Sequence, residues 1–113
     1  MEKLEHLNYK ETTAVSEIKE RVKALVGDRL LGFYLFGSKA RGDYDPESDV
    51  DLAIVVEGLD REMKSKIIDI VVEIELKHLV VFSSLVLSWK DFVDLRTRER
   101  RIALDIENEG IPL

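Results

Sequence analysis

Two apolar runs of strand length meet across a short polar loop. Leu30-Leu31-Gly32-Phe33-Tyr34-Leu35-Phe36 stops abruptly at Gly37-Ser38, and ten residues later Asp49-Val50-Asp51-Leu52-Ala53-Ile54-Val55-Val56 begins. Side chains alternate between the faces of a strand, so Asp49 and Asp51 project to one side, close enough to hold a single cation together. Strand, small-residue turn, acidic loop and a strand opening on paired carboxylates make a frame suited to gripping a magnesium-bound triphosphate. An ordinary acidic hairpin loop explains neither the Gly-Ser nor the Asp-x-Asp placement. A calcium loop fails on register. Counted from Asp43, the sixth position is Ser48 where glycine is needed, and the twelfth is Ile54 where glutamate is needed.

The rest of the chain supplies a frame for that loop. Val15, Ile18, Val22 and Leu25 recur at helical spacing, which predicts a helix capped by Thr12 or Thr13 and closed by Gly27. Residues 1–12 read as a loose or appended segment. Asp60 caps a second expected helix reaching about Lys77, with Met63, Ile67, Ile70, Val71 and Ile74 as its apolar stripe and Ile68, Val72 and Leu76 widening it. A third strand is expected over Leu79–Leu87, Ser88 caps a short helix with Asp91 three residues on, and Thr97 caps the last helix. That helix ends at Gly110, where Ile111 would fold back onto Ile106. The order implies one α/β (α+β) domain over 1–113: a small mixed β-sheet with helices packed mainly on one face and the acids accessible from the other.

Composition narrows the function classes. There is no cysteine, so disulfides and thiolate metal sites are excluded. A formal net charge of −6 argues against a broad nucleic-acid footprint, since phosphate binding needs a basic surface. No apolar run approaches the length of a membrane span and the N-terminus is charged rather than signal-like, so a cytoplasmic protein is expected.

The motif resembles the fingerprint of the DNA polymerase β nucleotidyltransferase superfamily: Gly-Ser, about ten residues, then Asp-x-Asp. Gly37-Ser38-Lys39-Ala40-Arg41-Gly42, Ser48-Asp49-Val50-Asp51-Leu52 and the ending Ile106-Glu107-Asn108-Glu109-Gly110-Ile111 are similar to those of its minimal nucleotidyltransferases (MNT proteins). The resemblance covers roughly residues 14–113. It implies the nucleotidyltransferase fold and transfer of a nucleoside monophosphate, AMP from Mg-ATP, to a hydroxyl. Asp49 and Asp51 would be the catalytic metal ligands for Mg2+. Gly37 would let the backbone approach the phosphates, Ser38 would add a hydroxyl donor, and Lys39 or preferably Arg41, with its guanidinium fork, would contact the triphosphate. The resemblance also implies a HEPN-domain protein as partner and acceptor, and an antitoxin role.

One departure stands out. The superfamily usually carries a third carboxylate on a neighbouring strand, and Val80–Ser88 contains no acid. The expected position is Ser84. The site would then work with two carboxylates and water, or a third acid would arrive from elsewhere, or the chain would be a degenerate nucleotide-binding module that acts on its partner by contact. Glu73 and Glu75 read as solvated helix charges. Arg96, Arg98, Arg100 and Arg101 read as a solvated basic face or a contact for an acidic partner or nucleic acid. His78 reads as a surface residue favoured at a helix end, and Trp89 as a core anchor.

Overall fold

The computed structural model describes residues 7–42, 49–98 and 100–113, leaving out the side chains of Ser38, Arg41, Asn108 and Glu109. The acids of the rejected calcium register before Asp49 (Asp43, Asp45 and Glu47) lie outside the described residues. The first helix, α1, spans Tyr9–Val26. It starts earlier than Thr13 because a stronger cap lies upstream. The Asn8 side chain accepts from the Glu11 N–H at 2.8 Å, and the Glu11 carboxylate accepts from the Asn8 N–H at 3.0 Å. This reciprocal box satisfies two amides that a helix start leaves orphaned. Gly27 closes the helix at φ +59°, a conformation that L side chains resist. Helical periodicity then puts Val26, rather than Leu25, in the core: Leu25 is exposed.

Strand β1 (Leu30–Phe36) runs into Gly37 and a single helical turn, α2 (Ser38–Arg41). Strand β2 (Val50–Val56) returns antiparallel to β1, with Phe36 opposite Asp51 and Leu35 opposite Leu52. Helix α3 (Arg61–His78) follows, its Asp60 cap accepting from the Met63 N–H at 2.7 Å. It carries the chain across to strand β3 (Phe82–Ser88), parallel to β2. Ile67, Ile70, Val71 and Ile74 of α3 are buried, whereas Ile68, Val72 and Leu76 face solvent, so the apolar stripe is narrower than the sequence suggests.

The third strand also starts later than Leu79. Leu79 takes a left-handed conformation (φ 56°, ψ 45°) to close α3 and is exposed, and only Val80 tucks into the core before Phe82. Ser88 caps α4 (Trp89–Thr97) through the Asp91 N–H at 3.0 Å. Thr97 ends α4 rather than starting α5 (Arg101–Glu109), whose cap is Arg100 without a side-chain bond. Gly110 is extended (φ −66°), so no Schellman turn forms. Ile111–Pro112 instead become β4, antiparallel to β1, with Ile111 opposite Leu35.

The sheet order is β3-β2-β1-β4, mixed in direction as expected. Even-numbered β2 residues Leu52, Ile54 and Val56 join Ile18, Val22, Ile67 and Ile74 in the larger core under α1 and α3. Odd-numbered Ala53 and Val55 meet Phe92, Ala103 and Ile106 in a smaller cluster under α4 and α5. The two long helices thus lie on one face. The second face is not fully open, because a short helix pair covers part of it.

Candidate active site

Asp51 is the second residue of β2, on the face that carries Ala53 and Val55 further along the strand. It is half-buried, and Asp49, just before the strand, is exposed. Opposite Asp51, β1 ends at Phe36 and the backbone swings through Gly37 at φ +74°. The carboxylate of Asp51 lies directly over this glycine: a β-carbon built on Gly37 would overlap Oδ2 and stand 2.9 Å from Cγ. Glycine is required here twice over, for its left-handed backbone and for the space that Asp51 fills. Gly37, just after β1, and Asp51 of β2 therefore meet at one point.

The next turn, α2, begins at Ser38 and is closed by the Ala40 N–H donating to the Gly37 carbonyl at 3.1 Å. The side chains of Ser38 and Arg41 lie outside the described residues, so their expected phosphate contacts have no geometry to report. Lys39 points inward: its side chain is 3% exposed, with Nζ 3.2 Å from Glu11 Oε2. The ammonium considered for phosphate contact is thus held by a carboxylate of α1. Local sequence reading missed Glu11, whose role depends on a contact across 28 positions; the available signal was its place as third residue after a capping asparagine.

The position of the third carboxylate needs correction. Strands β2 and β3 pair in parallel register, Asp51 with Ser83 and Leu52 with Ser84. Paired residues of adjacent strands share a face. Ser83 therefore lies on the aspartate face, and Ser84 lies on the opposite one beside fully buried Leu52. The conclusion that this strand brings no acid stands, but the position is Ser83. Among the described residues no group of three or more His, Cys, Asp or Glu side chains is placed to hold a metal. Two carboxylates beside a glycine-backed turn still suit a hard ion, which takes one or two protein carboxylates and completes its shell with phosphate oxygens and water.

The remaining candidates are structural. Glu73 pairs with Arg21 at 2.6 Å, and Glu75 accepts from the Phe82 N–H at 2.9 Å, pinning the start of β3. His78 Nε2 lies 3.0 Å from Glu17 Oε1, and the hydrogen bonds from His78 and then Lys77 hold the Glu17 carboxyl below its usual range. Arg96 approaches Glu107 and Arg98 approaches Asp94, at 3.4 and 3.3 Å, which supports the solvated-face reading. Trp89 is not a core anchor. It is 43% exposed and leans on Phe92 at 6.1 Å between ring centroids, while Phe92 takes the buried place.

Comparison with known proteins agrees with this geometry. The family model described as a nucleotidyltransferase domain matches residues 15–105. A candidate protein adenylyltransferase of Methanocaldococcus jannaschii is 34% identical over 98 residues, covering 86% of this chain and 92% of that protein. A second from the same organism, also named as a candidate protein adenylyltransferase, is 37% identical over 76 residues, covering 67% of this chain and 72% of its own length. The crystal structure of a candidate nucleotidyltransferase from Sulfolobus solfataricus has the same fold. It superposes with a TM-score of 0.56 at 22% identity, over 88% of this chain and 76% of that one. Among the described residues no helix is long and apolar enough to cross a membrane. With the glycine turn and the Asp-x-Asp strand inside the matched span, this chain belongs to the nucleotidyltransferase-domain family.

Proposed function

We propose that this chain transfers AMP from ATP to a hydroxyl of a protein partner, with a divalent cation, magnesium by preference, held by Asp49 and Asp51. The observation that supports the reading is the Asp51 carboxylate seated over the Gly37 backbone, where one group could hold the metal while the other lets the phosphates approach. The names of the two archaeal relatives support a protein as acceptor. The resemblance to minimal nucleotidyltransferases supports a HEPN-domain protein as that partner and an antitoxin role.

In the reaction, the acceptor hydroxyl oxygen bonds to the α-phosphorus as the α–β phosphoanhydride bond breaks. Pyrophosphate leaves with the electron pair of the broken bond, and the hydroxyl proton passes to solvent water. The metal, when bound, neutralises phosphate charge. The protein's part is to fix an in-line geometry: Gly37 allows the triphosphate to approach the backbone, Ser38 and Arg41 supply a hydroxyl and a guanidinium, and the aspartates fix the cation against the phosphates. Labelled ATP with magnesium and a HEPN-domain protein from the same organism should yield a labelled partner. Labelling that persists in Asp49→Asn/Asp51→Asn would overturn the assignment.

A second reading is favoured by Ser83. With serine where an acid would face Asp51, the chain would bind nucleotide and partner yet transfer slowly or not at all, neutralising the partner by contact. A stable complex with bound ATP, and no label transferred, would select it.

A further inference from the structure

The ion pair between Glu11 and Lys39 lies outside the proposed chemistry, yet it is among the most enclosed charge pairs described. Lys39 is 3% exposed and Glu11 8%. Lys39 Nζ is 3.2 Å from Glu11 Oε2 and 3.5 Å from Oε1, and Oε1 also accepts the Asn8 N–H at 3.0 Å. The carboxylate is therefore held by the helix cap as well as by the ammonium.

Lys39 sits two residues after Gly37, inside a helix of four residues. A single isolated turn is unfavourable to form, because nucleation fixes several dihedrals for one hydrogen bond. Something outside the turn must hold it. A buried ion pair is a costly way to do so unless its directionality matters, since desolvation offsets much of the attraction. Two apolar side chains would fill the space but would not specify where along α1 the turn must sit. A carboxylate fixed by a helix cap and an ammonium on the turn define one register.

We propose that Glu11 and Lys39 are positioning residues for the nucleotide turn. They dock α2 on the first turn of α1, so that Gly37 is presented against Asp51 before nucleotide arrives. Neither residue touches the phosphates. The proposal rests on the nucleotide reading of the Gly37 turn for its effect on binding, but not for its effect on the turn itself.

The test compares wild type with Glu11→Gln/Lys39→Met, which removes both charges at similar size, and with Lys39→Arg, which keeps the cation. Amide exchange of the nucleotide-free proteins is measured beside Mg-ATP calorimetry. In the double variant, exchange should rise across residues 37–41 while β2 stays protected, and the Mg-ATP Kd should weaken about tenfold, as misplacement of a positioned group does. Lys39→Arg should stay within roughly threefold of wild type on the same reasoning. Unchanged exchange at 37–41 in the double variant overturns the proposal, as does protection lost equally across β2, which would mark a merely structural pair. Should the double variant not fold, Glu11→Asp draws the carboxylate back by one methylene and the same exchange comparison decides. Failure of wild type to bind Mg-ATP strikes the nucleotide reading alone, and the exchange result still decides the positioning role.

Discussion

The two faces of β2 are built from one seven-residue strand and behave as different materials. On one side Leu52, Ile54 and Val56 are fully buried beneath two helices of 18 residues each. On the other the strand passes from half-buried Asp51 to Ala53 and Val55 beneath two helices of nine. The thick side supplies stability and cannot easily change. The thin side thins out where the carboxylate sits, so chemistry is added at the rim of a small core rather than cut into the large one. Alternation along a strand keeps the two tasks one residue apart.

That contrast should break most sharply at the aspartates. Asp49→Asn/Asp51→Asn should reduce nucleotidyl transfer by about a hundredfold or more, since a charged metal ligand is worth several kcal/mol of transition-state stabilisation. The melting temperature without metal should hold or rise, because crowded carboxylates repel each other. A large drop would make the thin face structural after all. Leu52→Ala, the next residue, should do the reverse. It should cost about 2–5 kcal/mol in denaturant unfolding through lost burial and a residual cavity, with the nucleotide affinity of the folded fraction nearly unchanged.

Gly37→Ala tests the junction between the two sides. Its positive φ should cost on the order of 1–3 kcal/mol, and the added methyl would displace the Asp51 carboxylate, so stability and Mg-ATP affinity should fall together. Parity is sharpened by a pair of substitutions on β3. Ser83→Asp places a charge on the aspartate face and should raise transfer about tenfold, the equivalent of some 1.4 kcal/mol, while Ser84→Asp on the other face should not. A gain from Ser84→Asp alone would refute the register argument.

The smallest effect is expected at Glu17, whose carboxyl is held below its ordinary value of 4.5 by His78 and Lys77. A depressed carboxylate stabilises the fold above its unfolded pKa, and that contribution is lost as pH falls through the folded value. The stability gap between wild type and Glu17→Gln should therefore be present at neutral pH and close in acid below 4.5. A gap that widens on acidification would contradict the assigned partners.

Much of this was legible from the residues because the signals are local. Asp60 and Ser88 cap the helices expected of them, Gly27 ends α1, and Asp51 lies over the Gly37 turn. What stayed illegible depends on contacts between distant segments. Ser84 follows from the resemblance and from alternation counted back from Ser88, without the pairing partner in view. Register is set by pairing with β2, and a one-residue slip moves every side chain to the other face. Threonines at 12, 13 and 97 are competent caps, but Asn8 with Glu11 offered a reciprocal pair at the first start, and α4 simply ran through Thr97. A two-residue strand that includes Pro112 has no periodicity to read. It exists because β1 presents an edge.

That last strand has a practical side. Ile111 pairs with Leu35, the Leu113 N–H donates to the Phe33 carbonyl at 2.8 Å, and Lys19 donates to the carbonyl of Leu113. β1 is thus zipped on both edges, by β2 and by these final residues, and the strand so clamped is the one that delivers Gly37. In engineering terms position 113 is a poor place for a rigid fusion or a close-cut truncation. Strain applied there is passed down a single strand to the Gly37 turn, and an affinity tag joined without slack would disturb that turn without unfolding the chain.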